Sequence, residues 1–159
     1  MLRLTYILLA GYLAFFSCKK ISGECTKDIY TYEFYTNSKI DTIRTAYNLY
    51  FRINPGNEFV FSYTHTGPDC KNIADDEYLD KLVFKAPAGS TDFSYENNQL
   101  ADAICLFEQD GAWINGAHNI TSGKINGAKR SDGKWDVQIN IETGTSTGRL
   151  VINKTFSPH

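Results

Sequence analysis

Asp132-Gly133-Lys134-Trp135-Asp136-Val137-Gln138-Ile139-Asn140-Ile141 decides the fold. Trp135, Val137, Ile139 and Ile141 alternate with Asp136, Gln138 and Asn140, the two-residue period of a half-buried strand. Asp132-Gly133 directly ahead of it is a tight-turn pair, because both residues tolerate positive φ. The segment Thr121 to Lys129, carrying Gly123, Ile125 and Gly127, therefore pairs back across that turn. On the other side, Thr143-Gly144-Thr145-Ser146-Thr147-Gly148 is a polar loop leading into a third strand, Leu150 to Phe156. These three segments predict a C-terminal antiparallel meander.

The same period recurs nearer the start. Tyr30, Tyr32 and Phe34 mark one strand face. Tyr47, Leu49, Phe51 and Ile53 mark a second strand, and Phe59, Phe61 and Tyr63 a third. Asn54-Pro55-Gly56-Asn57 lies between the last two and predicts a hairpin turn joining them. Leu82 and Phe84 suggest a short strand closed by Ala86-Pro87-Ala88-Gly89. Asn72 to Leu79 has room for one helical turn. Residues 98–108 read as strand, although Leu100, Ile104 and Phe107 have helical spacing. With no long capped amphipathic helix, the expectation is an all-β fold: an antiparallel β-sandwich, or alternatively a small β-barrel, of about seven to nine strands. Trp135 belongs in its core.

The chain has 159 residues, 16 Lys+Arg against 18 Asp+Glu, and a net charge of −2. That length supports one ordinary domain. A near-neutral balance argues against nucleic-acid binding, which needs a dense basic face to displace counterions.

The front of the chain has another character. Met1-Leu2-Arg3 precedes an uncharged apolar run from Leu4 to Phe16, the layout of an export signal. The run falls short of the ~20 residues needed to span a bilayer. It ends in Phe15-Phe16-Ser17-Cys18-Lys19-Lys20, a small residue directly before a cysteine. This resembles a bacterial lipoprotein signal, in a relaxed form similar to that of Bacteroidota lipoproteins. Phe15 and Phe16 depart from the Leu and small residue of the strict pattern. The resemblance covers about twenty residues and implies cleavage before Cys18, diacylglycerol on its sulfur and further acylation such as palmitate. It also implies a cell-envelope location, outer membrane and periplasm or cell surface. Two or more acyl chains hold stably, at about 0.8 kcal/mol per buried methylene. The expected organisation is residues 1–17 as signal peptide, 18–27 as lipidated tether, and 28–159 as a single β-domain.

Export leaves Cys25, Cys70 and Cys105 in an oxidising compartment, where one disulfide and one spare thiol are expected. Three pairings are open; Cys70–Cys105 is favoured because Cys25 adjoins the tether.

Catalytic signals are sparse. His159 is terminal, and His65 and His118 sit in turn-like surroundings. His65 and Cys70 alone lack the second ligand pair of a structural zinc site. Asp69, Asp75, Asp76, Glu77 and Asp80 lack the frame of a calcium loop, so they read as a solvated acidic loop. No serine sits in Gly-x-Ser-x-Gly, and there is no phosphate-cradling loop. Neither a metal nor another cofactor is expected. Trp113, in Asp110-Gly111-Ala112-Trp113-Ile114-Asn115-Gly116, is a candidate for stacking on a sugar or filling a partner's pocket, with His118 a second candidate ligand-binding residue. Asp41-Thr42-Ile43 is similar to the Bacteroidota O-glycosylation acceptor, with Thr42 as acceptor. The functional expectation is a non-catalytic binding or accessory module for a glycan or protein partner, attached to membrane lipid through Cys18. The alternatives are a hydrolase with dispersed carboxylates, or an inhibitor or immunity-type protein of the envelope.

Overall fold

A computed structural model describes residues 24–71, 78–111 and 114–159. Cys18 and Trp113, and with them Asp75, Asp76 and Glu77, lie outside the described residues. Among the described residues, ten strands and one helical turn follow in the order β1 (Ile29–Arg44), β2 (Leu49–Pro55), β3 (Glu58–Thr66), β4 (Tyr78–Pro87), β5 (Asp92–Glu96), α1 (Gln99–Asp102), β6 (Leu106–Gly111), β7 (Ile114–Asn119), β8 (Gly123–Lys129), β9 (Trp135–Glu142) and β10 (Arg149–Pro158). The strands form one sheet in the order β5-β8-β9-β10-β1-β3-β4-β6-β7, with β2 paired to β1 off this path. The all-β expectation holds. The two faces expected of a sandwich belong to one sheet that curls into a half-barrel, and a short parallel pairing of β1 with β10 joins its two antiparallel halves.

The C-terminal meander forms as its alternation dictates. Lys129 stands across from Trp135, and Gly133 takes φ 83° in the turn between them. β10 returns along β9 from Arg149 opposite Glu142 to Phe156 opposite Trp135. On β9 the apolar residues are all buried and the polar ones all exposed.

The N-terminal region departs from expectation. Asn54-Pro55-Gly56-Asn57 does not turn β2 back on β3. Both strands pair with β1 instead: β3 along Ile29 to Ser38, and β2 along Ser38 to Arg44. Chain 29–66 is thus one long antiparallel ribbon whose turn is Thr45–Asn48, closed by the Thr45 amide donating to the Asn48 carbonyl at 2.8 Å. Halfway along, the ribbon is bent by a bulge between Tyr35 and Ser38, with Asn37 at φ 51°. Gly56 faces that bulge and donates its N–H to the Asn37 carbonyl. A Cβ on Gly56 would lie 2.7 Å from Lys39 Cβ and 2.8 Å from the Ser38 backbone, so this position needs glycine. Proline and glycine here serve a bend rather than a turn.

Residues 98–108 divide where a single strand was expected. α1 makes one helical turn, Ile104 takes φ 46°, and β6 begins at Leu106. The Cys105 amide bonds to the Leu100 carbonyl and the Ile104 amide to the Ala101 carbonyl, the double closure of a left-handed helix stop. A β-branched residue is unfavourable at positive φ; packing of Ile104 against the outer apolar cluster compensates.

The bend gives the protein two cores. Inside the curl, Phe34, Phe61, Phe84, Phe93, Phe107, Trp135 and Phe156 interlock with Ile125, Val137, Ile139 and Ile141. Phe61 stacks on Phe84 at 5.0 Å and meets Trp135 edge-on at 5.3 Å, joining the facing halves of the sheet. On the outer surface the tip half of the ribbon lies over β3, β4, β6 and β7, burying Ile40, Leu49, Val60, Val83, Leu106 and Ala117. β3 is therefore apolar on both faces.

Candidate functional site

At one end of the half-barrel the inner face changes from aromatic to polar. Asp80 and Gln109, neighbours in the β4–β6 ladder, are both buried there. Gln109 Nε2 donates to Asp80 Oδ1 at 2.9 Å and to Thr147 Oγ1 at 2.7 Å. The Tyr78 hydroxyl donates to Asp80 Oδ2, Thr147 Oγ1 approaches the same oxygen at 3.3 Å, and Ser146 Oγ donates to Gln109 Oε1. Loop 143–148 thus closes this end by hydrogen bonds. Burial raises the Tyr78 and Tyr63 hydroxyls above the usual phenol range, so both stay neutral and Tyr78 keeps the proton it donates to Asp80. Both Asp80 oxygens are engaged, so the network acts as a polar plug.

The entering chain is fastened at the same end. Cys25 is bridged to Cys70. The Thr26 amide bonds to the Asp69 carbonyl, and the Asp69 amide to Thr26 Oγ1, both at 2.8 Å. This corrects the expected Cys70–Cys105 bridge. Cys25 is part of the folded edge, whereas Cys105 lies in the inner core as a buried thiol beside Leu100 and Phe107. Burial raises the Cys105 thiol far above its ordinary value, which makes it unreactive.

The histidines separate. His65 is on β3 rather than in a loop: its Nε2 is 2.8 Å from Asp28 Oδ1, and its ring stacks on Tyr30 at 4.4 Å. With Cys70 in a disulfide, the His65–Cys70 pair is no metal site, and the described residues contain no group of three metal-ligating side chains. His159 is held rather than frayed; its amide bonds to the Phe34 carbonyl and its ring packs near Tyr35. His118 is exposed on β7, three strands from His65 in the sheet order. Thr42 is exposed on β1, while Asp41 beside it is bonded to Asn54 Nδ2 and Lys39 Nζ.

Two clefts flank the ribbon's tip half. One, of about 430 Å³, is lined by Tyr35, Phe51, Arg52, Asn54 and Lys81, with the Lys81 ammonium 5.3 Å from the Phe51 ring centre. The other, of about 270 Å³, opens between the ribbon's turn and β7. Arg44, Tyr47, Asn48, Gly116, His118 and Asn119 are among its lining residues. Tyr47 is 94% exposed at the tip. Asn48 Nδ2 donates to the Tyr50 hydroxyl at 3.0 Å, tying the second tip tyrosine to the turn. Gly116 takes φ 122° where β7 passes Asn48 and Leu49. Of the candidate site residues expected from the sequence and lying among the described residues, His118 lines this cleft. In the ladder His118 stands across from Phe107 of the inner core, and Asn119 across from Leu106 of the outer cluster. Alternation therefore puts Asn119 on the ribbon side and His118 on the opposite face. Tyr47 was missed because it fits the alternation of the strand that follows; Thr45 two residues earlier, whose hydroxyl accepts from the Asn48 amide, was the available turn signal.

The chain matches no known protein-family model, no curated protein and no solved structure.

Proposed function

We propose that the protein is a lipid-tethered, non-catalytic binding module of the bacterial cell envelope, attached through acylated Cys18, and that it binds a glycan at the ribbon tip. The observation that carries the binding reading is the tip cleft. It brings Arg44, Asn48 and Asn119 to the lining of one cleft together with Tyr47, whose side chain is freely exposed. Flat aromatic faces and planar amides suit the CH faces and hydroxyls of sugars. The buried acid best shielded for catalysis, Asp80, has both oxygens committed to the plug, which weighs against a hydrolase. Attachment rests on the sequence around Cys18. Cys25 follows seven residues later, so the bridged end of the domain would sit within roughly 25 Å of the bilayer at ~3.5 Å per extended residue.

An envelope protein as partner is the second reading, and it includes an inhibitor or immunity role. It is favoured by Ile43 and Tyr50, which face each other across the ribbon and are both exposed beside Tyr47. A glycan array separates the two. Binding to oligosaccharides that is lost in Tyr47→Ala supports the glycan; an empty array with a protein captured through Ile43 and Tyr50 replaces it. Labelling cells with a clickable fatty acid tests the anchor: label is expected on the parent and absent from Cys18→Ser, and an unlabelled parent overturns it.

A further inference from the structure

The tip cleft carries charge of one sign. Its described lining residues include Arg44 and no carboxylate. None of the ion pairs among the described residues involves Arg44. In the ladder Arg44 stands opposite Leu49, so the two side chains leave the ribbon on the same face, the one Leu49 buries against the sheet. The guanidinium therefore projects on the side of β7 rather than away from it. On the adjoining edge of β7, Asn119 shares the face of Ala117. One N–H of the Asn48 side-chain amide goes to the Tyr50 hydroxyl, which leaves its second N–H and its Oδ1 for a ligand. The tip thus offers a planar cation, an amide acceptor, a second amide and an exposed aromatic ring around a volume of about 270 Å³.

We infer that this cleft takes a uronic-acid unit of an acidic glycan. The sugar carboxylate pairs with the fork of Arg44, the pyranose face lies on Tyr47, and its hydroxyls meet Asn48 and Asn119. A guanidinium matches a carboxylate bidentately, and such charge-assisted bonds are about twice as strong as neutral ones. An acidic peptide could supply the carboxylate. It lacks the flat CH face that a pyranose can lay on an exposed aromatic ring such as Tyr47. The inference rests on the glycan-binding reading of the same cleft and adds the charge of the ligand.

The full-length chain, purified in mild detergent, is titrated by NMR or calorimetry. The ligands are short oligomers of galacturonic, glucuronic and mannuronic acid, each oligomer's methyl ester, a neutral glucan and an oligoglutamate. At least one acid oligomer is expected to bind about tenfold more tightly than its ester, a ratio corresponding to ~1.4 kcal/mol. Arg44→Gln should abolish that ratio by bringing acid binding down toward that of the ester, and Tyr47→Ala should weaken acid and ester alike. Equal binding of acid and ester, unchanged by Arg44→Gln, overturns the acidic inference and keeps glycan binding. Binding of oligoglutamate in preference to every sugar overturns both, as does a failure of all the sugars to bind.

Discussion

The base and tip halves of the long ribbon are one piece of chain in two environments. In the base half, β3 pairs with the first part of β1 and contributes Phe61 and Tyr63 to the aromatic core. In the tip half, β2 pairs with the rest of β1 and covers the outside of the sheet with Ile40 and Leu49. The first is enclosed by facing strands; the second is a single layer with clefts along its flanks. Aromatic rings bury some 150–250 Å² each and interlock across the curl. The tip half rests on fewer and smaller aliphatic groups. Stability is therefore concentrated at the base, and the part offered to a ligand is the part that can open locally without global unfolding.

The sharpest way to break this contrast is to truncate one residue on each side of the bend. Phe61→Ala removes the ring that stacks on Phe84 and meets Trp135, and should destabilise the fold by about 4 kcal/mol in a denaturant titration. Leu49→Ala should cost about 2 kcal/mol, the low end for a buried leucine, because the tip can settle onto the sheet. Equal losses at the two positions would show that tip and base unfold as one unit.

The fastening of the base sharpens the comparison. The Cys25–Cys70 bridge has a sequence separation of 45 residues, and it has no counterpart at the ribbon's turn. Replacing both cysteines by serine should lower global stability by about 4 kcal/mol through the freed unfolded chain. Amide exchange in β2, at the tip, should rise no more than that global loss explains. Faster exchange confined to β2 would tie the tip to the bridge and show that the two halves are not independent.

A smaller effect is expected at the bend. Gly56→Ala pushes a methyl group against Lys39 Cβ and the Ser38 backbone. Overpacking of this kind costs about 1–3 kcal/mol. Hydrogen exchange should quicken in residues 38–55 while β9 keeps its protection. A uniform loss across the sheet would mean that the bulge supports the whole fold rather than orienting its outer half.

The two halves also differ in how far they could be read from sequence. The meander was legible because β9 has one wet face and one dry face, so the alternation of Trp135, Val137, Ile139 and Ile141 reports its environment directly. The ribbon misled because β3 is covered on both sides, by Phe61 within and Val60 without, and because Asn54-Pro55-Gly56-Asn57 has the composition of a turn while serving a bend. Pairing partners are set by long-range burial, which a local window does not contain. The disulfide misled for a related reason: Cys25 adjoins the tether in sequence, and the bonds between Thr26 and Asp69 that hold it beside Cys70 join distant parts of the chain. Of the candidate site, the exposed position of His118 and nothing of Arg44, Tyr47 or Asn48 was legible, since their meeting with β7 depends on that same bend.

The smallest expected effect tests whether the tip half covers the sheet in solution. Glu108 stands across from Lys81 in the β4–β6 ladder, and the Lys81 ammonium lies over Phe51 of β2. Burial raises the Glu108 carboxyl above the usual glutamate range, with attraction from Lys81 opposing and repulsion from Asp110 adding. A carboxyl raised in the folded state binds its proton more tightly there than in the unfolded chain. Its contribution is then most favourable below the ordinary glutamate value of about 4.3 and declines as pH rises through the interval up to the raised value. Glu108→Gln should therefore leave stability unchanged near pH 3.5 and increase it at pH 7, by well under about 1 kcal/mol because the group is half exposed. Thermal unfolding of parent and variant at both pH values reads the difference. A variant less stable than the parent at pH 7 would mean that the Lys81 pairing outweighs burial, and hence that the ribbon tip leaves this face open to water.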